Sequence, residues 1–167
     1  MRKLIAPLPF SALLPLIILL AACSDVSPDS AAQSDMWRVQ LISAETARSL
    51  SASTAVVQYG GDILESTMAV LPEQGKHFLL LELSIEKVGE GKAAFSWNDA
   101  HIVDQDGNSY FRHSNDTFLA NLGIPRIRGT DIVFGKESGY VCFEIPEGSY
   151  GLVFIADEGN IALEVPA

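Results

Sequence analysis

The sequence predicts an all-β chain folded as a single antiparallel sandwich, and three observations carry that expectation. Apolar residues recur with a period of two in several separate runs, so each run reads as a strand with one face toward a core. Glycine, proline and acidic turn residues separate those runs at short intervals. No run long enough for a stable helix holds a 3.6-residue apolar stripe, so helix content should be low. Composition agrees: 167 residues with 48% hydrophobic and 19% charged side chains are globular, and the length suits one domain. There are 21 acidic side chains against 11 basic, a formal charge of −10. Such a balance argues against a counterion-release grip on DNA or RNA, so no nucleic-acid partner is expected.

The first element is a leader. Arg2 and Lys3 precede an apolar stretch from Leu4 to Ala22, long enough on paper to span a bilayer. Pro7, Pro9 and Pro15 each remove a backbone donor from it, which favours a cleaved export signal over a permanent span. The run Leu20-Ala21-Ala22-Cys23 resembles the lipobox of bacterial lipoproteins. The resemblance implies cleavage after residue 22, leaving Cys23 as an acylated N-terminus and a membrane anchor. Two or three acyl chains, at about 0.8 kcal/mol per buried methylene, hold stably where one holds only marginally. Ser24 stands where an aspartate tends to retain Gram-negative lipoproteins at the inner membrane, so the outer membrane is favoured if the host has one. Without residues 1–22 the chain loses two cations and becomes still more acidic, so anionic lipid headgroups repel the body and the acyl chains must anchor it unaided.

Residues 23–35 read as the acylated terminus followed by a flexible tether. Ser24 to Asp35 holds three aspartates, no basic residue and one large apolar side chain, too little to offset its ordering entropy. As a random coil it would hold the body on the order of 20 Å from the membrane. Residues 36–167 then form the domain. Trp37, Val39 and Leu41 suggest a first strand, Glu45 to Leu50 a helical turn or more, and Ala55 to Tyr59 and Ile63 to Val70 further strands. In Lys76 to Val88, Leu79, Leu81, Leu83 and Ile85 share one face; Phe78 and Leu80 make the start of the other face apolar, so that end should lie under another element. Asp104 to Asn108 is a hairpin signal between Ala100–Val103 and Ser109–Arg112. His113 to Lys136 is long for a loop, and such loops are usually functional. Thr117 to Leu122 suggests a short helix there and Asp131 to Phe134 a strand. Val141, Phe143 and Ile145 line one face of a strand stopped by Pro146, residues 150 to 156 are apolar on both faces as a central strand should be, and Ile161, Leu163 and Val165 point inward from the last.

Three landmarks carry a second resemblance: Gly75-Lys76-His77-Phe78-Leu79-Leu80-Leu81-Glu82-Leu83-Ser84-Ile85, Asp104-Gln105-Asp106-Gly107-Asn108-Ser109-Tyr110 and Val141-Cys142-Phe143-Glu144-Ile145-Pro146. In this order they resemble a bacterial Ig-like domain family of unknown function, common in lipoproteins and similar in fold to a secreted immunoprotective antigen. The resemblance covers about residues 65 to 165 and implies an Ig-like sandwich with no catalytic residues. Glu86-Lys87-Val88-Gly89 departs from it, standing where the family often has an asparagine-led turn.

Chemistry-bearing residues are few. His77, His101 and His113 are the histidines. If an even-length loop pairs Asp104 with Ser109, His101 faces Arg112 and His113 points to the other side of the sheet. A three-residue loop with a bulge puts both on one face, offset; solvated or satisfied strand histidines are favoured over a metal site. Asp104 and Asp106, with Asp99 or Asp116, offer oxygen ligands in principle, yet the spacing lacks the distal glutamate of an EF-hand, and aspartates capping a β-turn are the simpler reading. The nucleophile elbow, His-Glu-x-x-His, phosphate loop and Gly-x-Gly-x-x-Gly are all missing, so no catalytic residue, metal or cofactor is assigned. Cys142, alone once Cys23 is acylated, reads as a small buried hydrophobe. Trp37 and Trp97 read as core or rim rather than a carbohydrate platform. The expected function is an exported, lipid-anchored, non-catalytic binding or structural module of the cell envelope; a metal-dependent or hydrolytic enzyme is the alternative. Its partners would be the membrane, through the lipid on Cys23, and an envelope protein or glycan. Sandwiches recognise partners through end loops, so Arg126 and Arg128, the one basic pair in the long loop, and Asp104 and Asp106 in the hairpin are the candidate contacts.

Overall fold

The computed structural model describes residues 30–59, 62–128 and 131–166. The leader, the lipobox and Cys23 lie outside the described residues. Among the described residues there are ten strands: β1 Ala31–Gln33, β2 Trp37–Ala47, β3 Leu50–Tyr59, β4 Asp62–Val70, β5 Lys76–Lys87, β6 His101–Val103, β7 Ser109–Phe111, β8 Lys136–Pro146, β9 Leu152–Ala156 and β10 Ile161–Val165. Among the described residues the helical content is a four-residue helix, α1 Phe118–Asn121, and a 3₁₀ turn at Asp157–Gly159.

The strands form two antiparallel sheets, ordered β1-β2-β5-β8 and β10-β9-β6-β7, with β3 and β4 as a separate two-stranded ribbon. Alternation builds the core between them. Leu79, Leu81, Leu83 and Ile85 of β5 meet Val141, Phe143 and Ile145 of β8, and across the sandwich Ile102, Phe154, Ile161 and Leu163. Trp37 and Phe95 complete that core with an edge-to-face contact at 5.5 Å. As its two apolar faces predict, β9 is central, between β6 and β10. The other side of the first sheet is covered too: Phe78, Leu80 and Cys142 form a second cluster with Leu119 of α1 and Leu50, the element expected over the start of β5.

Exposed sheet edges invite wrong pairing, and here they are closed by the chain itself. Edge strand β8 accepts and donates across its free side: the His113 amide bonds to Cys142 O at 2.7 Å, and the segment 125–127 pairs with Tyr140 through Tyr140 N to Pro125 O at 2.8 Å and Ile127 N to Tyr140 O at 3.1 Å. Gly139 makes that approach possible. Its φ is +148°, and a Cβ there would sit 2.9 Å from Pro125 O. At the opposite seam β1 lies beside β10.

Three expectations need correction. Glu45 to Leu50 is not helical: β2 runs to Ala47 and β3 starts at Leu50, because a bulge between Leu41 and Ser43 shifts the register and hides the strand alternation. The last part of the expected tether is folded: Ala31–Gln33 pairs with Arg38–Gln40, and the Ser34 hydroxyl accepts the amides of Met36 at 3.3 Å and Trp37 at 3.1 Å to make the turn. Asp131 to Phe134 is no strand, only a bridge of Ile132 with Phe95.

Candidate functional site

The hairpin and the long loop occupy different places in the fold. Val103 pairs with Ser109, so the loop Asp104–Asn108 has neither length considered above and His101 lies opposite Phe111. Asp104 organises this loop. Its buried carboxylate accepts the amides of Asp106 and Asn108 at 2.9 Å, the Asn108 side-chain amide at 2.9 Å and the Tyr110 hydroxyl at 2.8 Å. The Asn108 bond, reinforced by Tyr110 and the two amides against the cost of burial, holds its pKa down at about 2. The hydrogen bond to Asp104 in turn raises the Tyr110 phenol. Four donors saturate a carboxylate, so Asp104 has no lone pair left for a cation or a partner. Asp106, beside it, is exposed.

The long loop is tied down by a buried ion cluster. Arg112, just past β7, donates through Nε to Asp116 Oδ2 at 2.7 Å, and Arg126 donates through Nη1 to Asp116 Oδ1 at 2.7 Å. The other Arg112 nitrogens bond to Ile127 O at 2.6 Å and Arg128 O at 3.0 Å. Side-chain exposure is 8% for Arg112 and 5% for Asp116, so the pair is dry, while Arg126 at 24% reaches toward solvent. The Arg112 guanidinium also lies 4.3 Å from the Trp97 ring centroid. Arg126, expected to face a partner, is paired with Asp116 through Nη1 and stays partly exposed. Arg128 is exposed and pairs with Glu137. Asp116 carried a signal in the sequence, an opposite charge four residues after Arg112; the pairing with Arg126 is visible only in the fold.

The histidines stay apart in function. The His101 Nδ1 donates to Asp99 O at 2.8 Å and its ring stands 5.5 Å from that of Phe111. His113 accepts the Asn115 amide on Nδ1 at 3.2 Å, places Nε2 3.3 Å from Glu144 and sits edge-on to Phe78 and Phe118. His77 lines a different depression, with Arg48 and Glu147. Among the described residues no group of three His, Cys, Asp or Glu side chains is placed to hold a metal ion. Burial, first, and the nearby Asp116 and Glu144 charges push the Cys142 thiol up to about 12, as befits an inert core residue.

Where β7 gives way to the loop, a groove of about 370 Å³ opens between Trp97 and Asn98 on one wall and Phe111 to Ser114 on the other, with Asp116 at its floor. Phe111 is 59% exposed, whereas Trp97 is 7% exposed and leaves its indole N–H buried without an acceptor among the described residues. Asn98 and Ser114 present exposed side chains that make no hydrogen bond among the described residues.

An antiparallel β-sandwich with a loop-borne groove is the class this geometry defines. No family model matches the chain, and no curated protein sequence matches it either. The fold is similar to that of a "putative lipoprotein (ycdA)" from Bacillus subtilis, with a TM-score of 0.51 and 10% identity over 81% of this chain and 38% of that one. It is also similar to a conserved hypothetical protein from Bacillus anthracis, with a TM-score of 0.50 and 10% identity over 81% of this chain and 92% of that one. The chain thus spans well under half of the Bacillus subtilis protein.

Proposed function

We propose that this chain is a lipid-anchored module of the cell envelope that binds a partner through the groove beside Phe111 and carries out no chemistry. The observation that carries the reading is the state of the groove's ionisable groups: Arg112, Asp116 and His113 are each bound to other parts of the protein. A general acid or base needs a proton-accepting position free toward its substrate, and these groups serve instead to hold a rigid surface. Anchoring rests on Leu20-Ala21-Ala22-Cys23, with acylation of Cys23 and, given Ser24, placement at an outer membrane where the host has one. A structural neighbour described as a "putative lipoprotein" fits anchoring by lipid and does not bear on which membrane is used. No helix among the described residues is long and apolar enough to cross a membrane.

Three measurements test the reading. Protein purified from the native envelope should begin at Cys23 and release fatty acid on hydrolysis; a retained leader with no fatty acid refutes the anchor. Crosslinking in the native envelope should join a partner at residues near Phe111 in preference to the Asp104 hairpin. Turnover in a broad hydrolase screen, abolished by metal removal, would favour the enzyme reading instead.

A further inference from the structure

We propose that the groove beside Phe111 takes an uncharged saccharide; this deepens the binding-module reading above and rests on it. The ligand class follows from what the groove has left to offer. Arg112 has its Nε and both terminal nitrogens engaged, on Asp116, Arg128 O and Ile127 O. Asp116 has both oxygens on arginines, and His113 has one ring nitrogen on the Asn115 amide and the other facing Glu144. The charged groups of the lining are already held by protein partners, so an ionic ligand would have to compete with a buried ion pair for them.

Three neutral features remain. The Phe111 ring offers an open apolar face, Asn98 an amide that both donates and accepts, and Ser114 a hydroxyl that does the same. A sugar ring matches this set, with an apolar C–H face to lie on the aromatic ring and hydroxyls to trade with the amide and the serine. The volume, about 370 Å³, falls within the usual range of small-ligand clefts, roughly 300–1,000 Å³. The walls are also fixed in advance: Phe111 ends β7 opposite His101, and Arg112 beside it is locked on the body, so little ordering is demanded when a ligand arrives. Trp97 backs the groove with an N–H that no protein atom among the described residues accepts, and a shift in its surroundings should report occupancy.

The test uses the full-length protein in a zwitterionic, sugar-free detergent, with chitotriose, cellotriose and maltotriose as neutral probes and a trigalacturonate as the charged comparison. Titration should give a Kd of about 1 mM or tighter for at least one neutral probe, with the Trp97 indole N–H resonance moving as it binds. Phe111→Ala should weaken that binding at least about tenfold with an unchanged melting temperature. Tyr150→Ala removes an equally exposed aromatic that lines a different depression and should leave binding as it was. Absence of binding by all three neutral probes overturns the proposal, as does tighter binding of the trigalacturonate or equal affinity in the Phe111→Ala variant. Envelope crosslinking and fatty-acid release are read separately, so a failed saccharide test is distinguishable from a failed anchor or a failed binding surface.

Discussion

Replacing Asp116 by asparagine keeps the side chain's shape and removes the charge between two arginines. Each guanidinium then loses an oxyanion at 2.7 Å, and one of the two faces an amide N–H instead. The two losses are unequal. Arg112 is 8% exposed and would hold an unpaired charge out of water, a defect that costs about 3–5 kcal/mol in buried pairs. Its two carbonyl bonds survive, which places the expectation in the lower half of that range. Arg126, at 24% exposure, can turn into solvent and adds no more than about 1 kcal/mol. The sum is about 3–5 kcal/mol, or roughly 10–20 °C in melting temperature for a domain of this size. Urea unfolding followed by tryptophan fluorescence is the assay, since Trp97 lies under the Arg112 guanidinium. An unchanged slope would show that the whole body unfolds as before. A loss under about 1 kcal/mol would mean that the cluster behaves as a solvated surface pair, and that the loop is held by apolar contacts alone.

Other consequences are equally direct. Asp104 titrates near 2 in the fold against an ordinary 3.8, so its contribution to stability is complete above the ordinary value and drains away as pH falls toward 2; melting temperature should drop across that window, and Asp104→Asn should flatten the drop. Cys142, buried and raised to about 12, should resist iodoacetamide at pH 8 in the native protein and react at full rate only in denaturant; rapid native labelling would contradict its burial. Gly139→Ala should destabilise by about 2 kcal/mol or more, measured by urea melts, because the new methyl meets Pro125 O and the φ of +148° suits only glycine; a neutral result would show that the 125–127 segment is free to move.

How much of this could be read in the sequence depends on whether a residue's role is set by its neighbours along the chain. The inward faces of β5, β8 and β10 followed from simple alternation, and so did the cover over Phe78 and Leu80. The short helix at Phe118–Asn121 falls within the expected Thr117 to Leu122. Where a bulge intervenes, alternation misleads: past Ile42 the register of β2 shifts, so Ala44 and Thr46 took on the look of a loop or helix. β1 gave no apolar signal, since Ala31-Ala32-Gln33 is ordered by backbone pairing with β2 and by the Ser34 turn rather than by burial of large side chains. The candidate site was half visible. Asp104 was weighed as a turn-capping residue, and its bonds to the Asp106 and Asn108 amides are of that kind. Arg126 was misjudged because its partner lies ten residues back, across a helix, and no periodicity reports a contact of that kind. The groove itself joins Trp97 to Phe111, residues from separate segments that only the sandwich brings together.

The pairing of Ala31–Gln33 with β2 also sets the standoff between the body and a bilayer. Only the residues from Ser24 to Ser30 intervene between Cys23 and the first strand, and seven residues reach at most roughly 25 Å. Held from Cys23, the sandwich would sit close against the leaflet like a moored float rather than rising on a stalk. Any target would then have to come within a few nanometres of the lipid to be met.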